Sequence, residues 1–254
     1  MSLAGKQRTI GGFIAALIAL GMFVAPASAD LTNMIFSIEA VSGSAHGTWA
    51  ACLGDGHWNE DMNGFQWSLP GSVEVRDPQS GAVVATISGA EVSYVSDPQV
   101  NLSFAVFAGS DTTTFIVRSA LLSFPTIAHP AGLATASFSV TDGDDEGGAL
   151  LSGLGGMAYT ADTNGFVPGG THFTQMIPGI AAPLSGTNSL TQDFPGGGAF
   201  FPIGMPVSDM SSQIAFTLSA NDLASGTSVF QIQPVPEPWS CALLAACVAL
   251  LRRR

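Results

Sequence analysis

Acid is concentrated in one short run of this chain: Asp142, Asp144, Asp145 and Glu146, interrupted by Gly143 and followed by Gly147. Clustered carboxylates on a glycine-rich turn are what a hard cation such as Ca2+ takes as ligands, because it needs roughly six to eight oxygens and a backbone able to curve around it. The spacing does not complete an EF-hand loop, which places a further glutamate at its end. Two accounts therefore stand: a Ca2+ site on Asp142, Asp144, Asp145 and Glu146, or no cofactor and a solvated acidic turn.

Three tryptophans, Trp49, Trp58 and Trp67, recur every nine residues among Gly, Asn and Phe65. Indoles either stack on sugar rings through their apolar faces or fill a β core, so the trio reads as a carbohydrate platform or as packing. Between them lie Asp55, His57, Glu60 and Asp61, with His46 upstream, a set able to ligate a metal or exchange protons once a fold gathers it. No HExxH or GxSxG motif accompanies it, and the spacing establishes no facing carboxylate pair of the kind a glycosidase needs. His129, ahead of Pro130, and His172, between Thr171 and Phe173, read as structural. The chain reads as noncatalytic.

The span 30–237 carries all nineteen acidic residues against Arg76 and Arg118, and has no lysine. Such a surface repels phosphate backbones, which excludes nucleic acid as a partner. With 46% hydrophobic and 10% charged residues the chain has enough apolar side chain for a core. Cys52 is the one cysteine of this span, so no intrachain disulfide supports it, and its neighbours Trp49 and Leu53 predict a small buried hydrophobe.

The elements that must position these residues show a period of two. Residues 73–77 and 83–87 flank Pro78-Gln-Ser-Gly81, where Pro78 suits the first corner of a turn and Gly81 can take positive φ: a β-hairpin. Leu102, Phe104 and Val106 alternate with Asn101, Ser103 and Ala105, and residues 115–124 follow a polar tip at 109–113, which predicts two antiparallel strands. Further strands are expected at 34–41, 47–52, 65–69, 133–140, 214–219 and 229–232. About ten short strands predict one all-β domain over residues 30–233, an antiparallel sandwich or jelly roll. Residues 142–206, rich in Gly, Pro, Asn and Ser, read as long loops, with one helical turn at 157–161.

Both ends carry addresses. Lys6 and Arg8 precede an apolar run over 10–24 and the small-residue pattern Ala27-Ser28-Ala29, which predicts a signal helix in residues 1–29 cut by signal peptidase before Asp30. In the tail, 234–254, Pro236-Glu237-Pro238 is followed by thirteen apolar residues and then Arg252, Arg253 and Arg254. As a helix this stretch is about 20 Å long, short of the roughly 30 Å hydrocarbon core, and its arginines hold it on the cytoplasmic side.

Pro236, Glu237, Pro238, the apolar helix and the terminal arginines together resemble the PEP-CTERM sorting signal of Gram-negative bacteria. The resemblance implies an exosortase-type membrane peptidase as partner, transient inner-membrane insertion, and delivery to the cell surface, outer envelope or medium, commonly beside exopolysaccharide. Segments 119–125 and 220–230 also resemble uncharacterised β-rich domains of such proteins, and no activity comes with that likeness. The expected function is a noncatalytic surface or matrix protein. A carbohydrate-binding module, with or without Ca2+ assistance, is the alternative, ahead of a polysaccharide hydrolase.

Overall fold

A computed structural model describes residues 30–235; the predicted signal helix, Ala27, Ala29, Pro236, Glu237, Pro238, the tail helix and Arg252 to Arg254 lie outside them. The chain forms nineteen strands in order: β1 (Asp30–Leu31), β2 (Met34–Ser42), β3 (Ala45–Cys52), β4 (His57–Trp58), β5 (Gly64–Ser68), β6 (Val73–Arg76), β7 (Val83–Val95), β8 (Gln99–Ala108), β9 (Thr113–Ser119), β10 (Leu122–Ile127), β11 (Pro130–Thr141), β12 (Leu150–Gly153), β13 (Tyr159–Thr163), β14 (Thr171–Met176), β15 (Gly179–Ala181), β16 (Thr187–Phe194), β17 (Phe201–Pro202), β18 (Val207–Leu218) and β19 (Leu223–Pro234). Among the described residues no helix is long and apolar enough to cross a membrane.

Two antiparallel sheets face each other as a β-sandwich. In the ten-stranded sheet β18 is the spine: β9 and β10 pair along one edge, β12 and β13 along the other. β2 and β3 continue outward from β9. The nine-stranded sheet runs β16-β11-β19-β8-β7-β5-β4, with β17 added to β11 and β6 to β7. Inward alternation supplies the core: Phe36, Ile38, Phe115 and Phe216 from one sheet meet Val92, Leu102, Phe104, Phe138 and Phe230 from the other. Phe216 links them, its ring centroid 5.5 Å from Phe104 and 5.3 Å from Phe115.

The hairpin β6–β7 forms as its sequence predicts. Asp77 Oδ1 accepts the Gln79 and Ser80 N–H groups at 2.7 and 2.9 Å, and Gly81 takes φ +73°. Other expectations are corrected. The strands of 102–106 and 115–124 do not pair: β8 lies between β7 and β19, β9 between β2 and β18, because alternation fixes a buried face without choosing a neighbour. The second run also breaks after Ser119, and β10 restarts at Leu122. The loop-rich expectation for 142–206 gives way to six short strands, and residues 157–161 are not helical, since Tyr159 pairs with Ile214 and Met176 in β13. These strands are too short for alternation to stand out against their glycines. Cys52 is exposed, because Trp49 and Ala51 take the inward positions of β3.

Tyr94 crosses the core. Its buried hydroxyl donates to Ile35 O at 2.5 Å and accepts from Ala120 N–H at 2.7 Å, tying β7 to the opposite sheet. Burial pushes its phenol well above the ordinary value, and burial likewise pushes Tyr159 up to about 12. With both folded values above 10.0, their contribution is intact below pH 10 and is lost as the pH rises past the unfolded value. These are the only two tyrosines, so alkaline titration should show no phenolate absorbance until the sheet signal in circular dichroism collapses. A second expectation concerns Gly226, where a Cβ would lie 2.3 Å from Phe138 Cδ1 and 2.7 Å from Phe104 Cε1. Gly226→Ala should cost about 1–3 kcal/mol by overpacking, read from the denaturant midpoint.

Candidate functional site

The edges of the two sheets approach where β3 faces β5, and each turns an indole inward there. Trp49 and Trp67 lie 5.7 Å apart between ring centroids at 33°, over Phe36 at 6.1 and 5.4 Å. Trp67 is 4% exposed and belongs to the core, whereas Trp49 is half-buried and presents the reachable indole. Beside them opens a cavity of about 350 Å3 lined by Trp49, Ala51, Asp55, Trp67, Ser68 and Pro70. Asp55 Oδ2 accepts the Cys52 N–H at 2.7 Å, which fixes a carboxylate at the rim. Trp58 does not join them; it is half-buried on β4 with its ring edge-on to Phe65 at 5.3 Å. The three tryptophans therefore form no common platform.

Ser68 also borders a shallow groove of about 540 Å3 on the outer face of the nine-stranded sheet. Its walls are outward residues of β7, β8, β11 and β19: Glu91, Ser103, Ser137, Ser139, Ser225 and Thr227. The cross-strand register brings Ser137 opposite Thr227 and Ser103 opposite both Thr227 and Glu91, so hydroxyls from three strands form a row that ends on the Glu91 carboxylate. Ser137 and Thr191 already share a 2.7 Å hydrogen bond, and Glu91 Oε1 accepts from Gln66 Nε2 at 3.0 Å. The groove thus offers one carboxylate and many neutral donor–acceptor groups. Nothing in the sequence singled these residues out except the recurrence of Ser and Thr at the polar positions of the alternation.

The edge strand bearing Trp49 is held from outside by Asp77, whose Oδ2 accepts the His46 N–H at 3.1 Å. Hydrogen bonds from the Ser80, His46 and Gln79 N–H groups hold the Asp77 carboxyl below its usual range. His46 pairs with Glu39, 3.1 Å from its Oε1, and not with the Asp55–Asp61 segment. His57, Glu60 and Asp61 are exposed, so the fold does not gather that set around a metal. His172 Nδ1 lies 2.5 Å from Oδ1 of fully buried Asp162, tying β13 to β14.

Of the four acidic residues at 142–146, Asp142 and Asp144 come together and Asp145 and Glu146 point to solvent. The third member of the group is Asp222, distant in sequence, and the three offer oxygens within 4.8 Å of one another. The Asn221 amide, then the Glu146 N–H, hold the Asp144 carboxyl below its usual range.

No protein-family model matches the sequence, and no curated protein matches it. Among solved structures the chain is similar to the enzymatically active domain of tailspike protein 4 of bacteriophage CBA120, at 9% identity and TM-score 0.27, over 80% of this chain and 20% of that one. It is also similar to the C-terminal CBM6 of LamC, a marine laminarinase from Zobellia galactanivorans, at 11% identity and TM-score 0.19, over 64% of this chain and 98% of that one. The chain spans about a fifth of the tailspike's length. With both TM-scores under 0.5, neither likeness bears on ligand or activity.

Asp77→Ala should loosen β3, raising hydrogen exchange at the His46 amide and lowering the unfolding midpoint at neutral pH. Because its folded value lies below 3.8, the contribution of Asp77 is present above that pH and drains away as the pH falls through the folded value. The gap in midpoint between wild type and variant should therefore close in strong acid.

Proposed function

We propose that this is a noncatalytic exported envelope protein whose sandwich binds neutral polysaccharide along the outer face of the nine-stranded sheet, with Trp49 at one end of the site. The observation that carries the reading is Ser68, which lines both the indole-walled cavity and the hydroxyl-lined groove and so makes them adjoin. An apolar indole suits the C–H face of a sugar ring. Serine and threonine hydroxyls both donate and accept, so rows of them fit a polymer of hydroxyls in several registers. The noncatalytic part rests on the sequence, which carries no HExxH or GxSxG motif.

Delivery follows from the terminal signals. Signal peptidase cuts after Ala29, and an exosortase-type peptidase acts near Pro236-Glu237-Pro238 while Arg252 to Arg254 hold the tail at the inner membrane. The mature protein is then released or attached at the envelope, beside polysaccharide.

Affinity electrophoresis and calorimetry with soluble neutral glucans and galactomannans, against anionic alginate, test the binding. Trp49→Ala and Thr227→Arg should each weaken neutral-polysaccharide binding roughly tenfold or more, about 1.4 kcal/mol, and Trp58→Ala should leave it unchanged. Alginate should bind more weakly than the neutral polymers, because the acidic surface repels it. Absence of binding to every neutral polymer, or binding indifferent to both groove variants, would overturn the reading. Mass spectrometry of the mature protein from its native cell should find Asp30 at the N-terminus and residues 239–254 removed; an intact tail on surface-exposed protein counts against exosortase processing.

A further inference from the structure

Three turns meet at one end of the sandwich. The first is the segment 142–149 after β11, the second joins β18 to β19 through Ser219–Asp222, and the third joins β15 to β16 through Pro183–Gly186. Their backbones interlock: the Asp142 N–H donates to Gly186 O at 3.0 Å, and the Gly143 N–H to Asp222 Oδ1 at 3.0 Å. Asp142 Oδ2 accepts the Ser185 N–H at 2.5 Å, Asp144 Oδ1 accepts the Glu146 N–H at 3.0 Å, Asp144 Oδ2 accepts from Asn221 Nδ2 at 3.0 Å, and Ser219 Oγ donates to Asp222 Oδ2.

Three carboxylates are thereby held within 4.8 Å of one another, two of them buried, Asp142 at 6% and Asp222 at 2% exposure. Among the described residues no lysine or arginine offsets them. Residues 30–235 contain no lysine, and the arginines pair elsewhere, Arg76 with Glu74 and Arg118 with Glu39. A second observation is independent of the clustering: Asp142 Oδ1 is buried and has no hydrogen-bond partner. An anionic oxygen withdrawn from water without a partner is strongly unfavourable unless a counter-charge meets it.

We infer that Asp142, Asp144 and Asp222 form a Ca2+ site that staples these three turns together. All donors are hard oxygens, the class that Ca2+ takes, and Ca–O bonds of about 2.3–2.6 Å let opposite ligands stand up to roughly 5 Å apart, so three oxygens within 4.8 Å of one another fit inside one Ca2+ sphere. Mg2+ demands near-ideal octahedral order and gives up its waters reluctantly, so it is less suited to a site shaped by three irregular turns. Three carboxylates supply part of the sphere, and water and turn carbonyls complete it. Asp145 and Glu146, which the sequence groups with the site, stand outside it. The site shares no residue with the cavity or groove, so it stands whether or not these bind polysaccharide.

Calorimetry of the full chain with CaCl2 after chelator treatment should give one Ca2+ per chain, with an affinity roughly in the range 10⁻⁴–10⁻³ M seen in extracellular modules. Ca2+ at a hundredfold excess over Kd should raise the thermal midpoint by about 5–10 °C. Asp144→Asn, at a partly exposed position where the amide oxygen can keep the Glu146 N–H contact, should weaken binding at least tenfold. Asp222→Asn should do the same, while Asp145→Asn and Glu146→Gln change it less than twofold. Wild-type protein that shows neither heat nor a midpoint shift with Ca2+ overturns the proposal, as does binding that survives Asp144→Asn and Asp222→Asn or is lost in the Asp145 and Glu146 variants. A midpoint that rises equally on mild acidification and then ignores Ca2+ assigns the cluster a shared proton and also overturns it.

Discussion

The Tyr94 hydroxyl is the point on which the two sheets agree. Where β9 ends at Ser119 and the chain steps to β10, the Ala120 N–H reaches Ile35 O at a long 3.2 Å. Both residues are fully buried, where a poorly made hydrogen bond is costly because water cannot complete it. One phenol from the opposite sheet reinforces that junction, donating to Ile35 O and accepting from the Ala120 N–H. Since the ring enters from β7 at a fixed depth, the contact also sets the spacing of the sheets. Ile35 begins the strand whose partner carries Trp49, and Tyr94 pairs across to Phe65, two residues before Trp67. The cavity between the two indoles is therefore built outward from this contact.

How much of this was legible in the sequence depends on the range of the interaction. The β6–β7 hairpin was readable because Asp77, Pro78 and Gly81 fix their turn locally, and β2, β8 and β11 because alternation over several residues outweighs noise, whereas only 214–219 of β18 and 229–232 of β19 stood out. Strand partners were not readable. A period of two says which side chains go inward, and β8 and β9 satisfy it equally as a hairpin or as facing strands of two sheets. The short strands of 150–202 were hidden for a related reason: two to eight residues give too few alternations, and the pairing of β12 and β13 onto β18 and of β16 onto β11 comes from those longer neighbours.

The same limit applies to the sites. Trp49 and Trp67 could be named from composition, but their meeting at a sheet edge, and the separation of Trp58 onto Phe65, are tertiary facts. The acidic run pointed to the right region with the wrong membership. Asp145 and Glu146 follow Asp142 in sequence, yet the turn carries them outward, with Asp145 at φ +61°. Asp222 arrives through the β11–β19 pairing, which sets Thr141 against Leu223 and so brings the ends of the two strands together. The groove left the faintest trace, since serines and threonines on the solvent side of a strand are ordinary.

Charge placement joins these observations. Nineteen acidic residues with almost no basic partners impose self-repulsion that a fold relieves by spreading carboxylates apart or by neutralising them. The outer face of the nine-stranded sheet takes the first course: its central rows are hydroxyls, and Glu91 is the one carboxylate lining the groove. The end of the sandwich does the reverse, drawing three carboxylates together and burying two of them. Backbone N–H groups and the Asn221 amide offset part of that charge, but each carboxylate also needs its neighbours' field cancelled. A neutral face suits a neutral polymer, and a concentrated anionic knot suits a small cation. The partition of acid between these regions is thus the physical reason one sandwich carries two surfaces of opposite chemical taste.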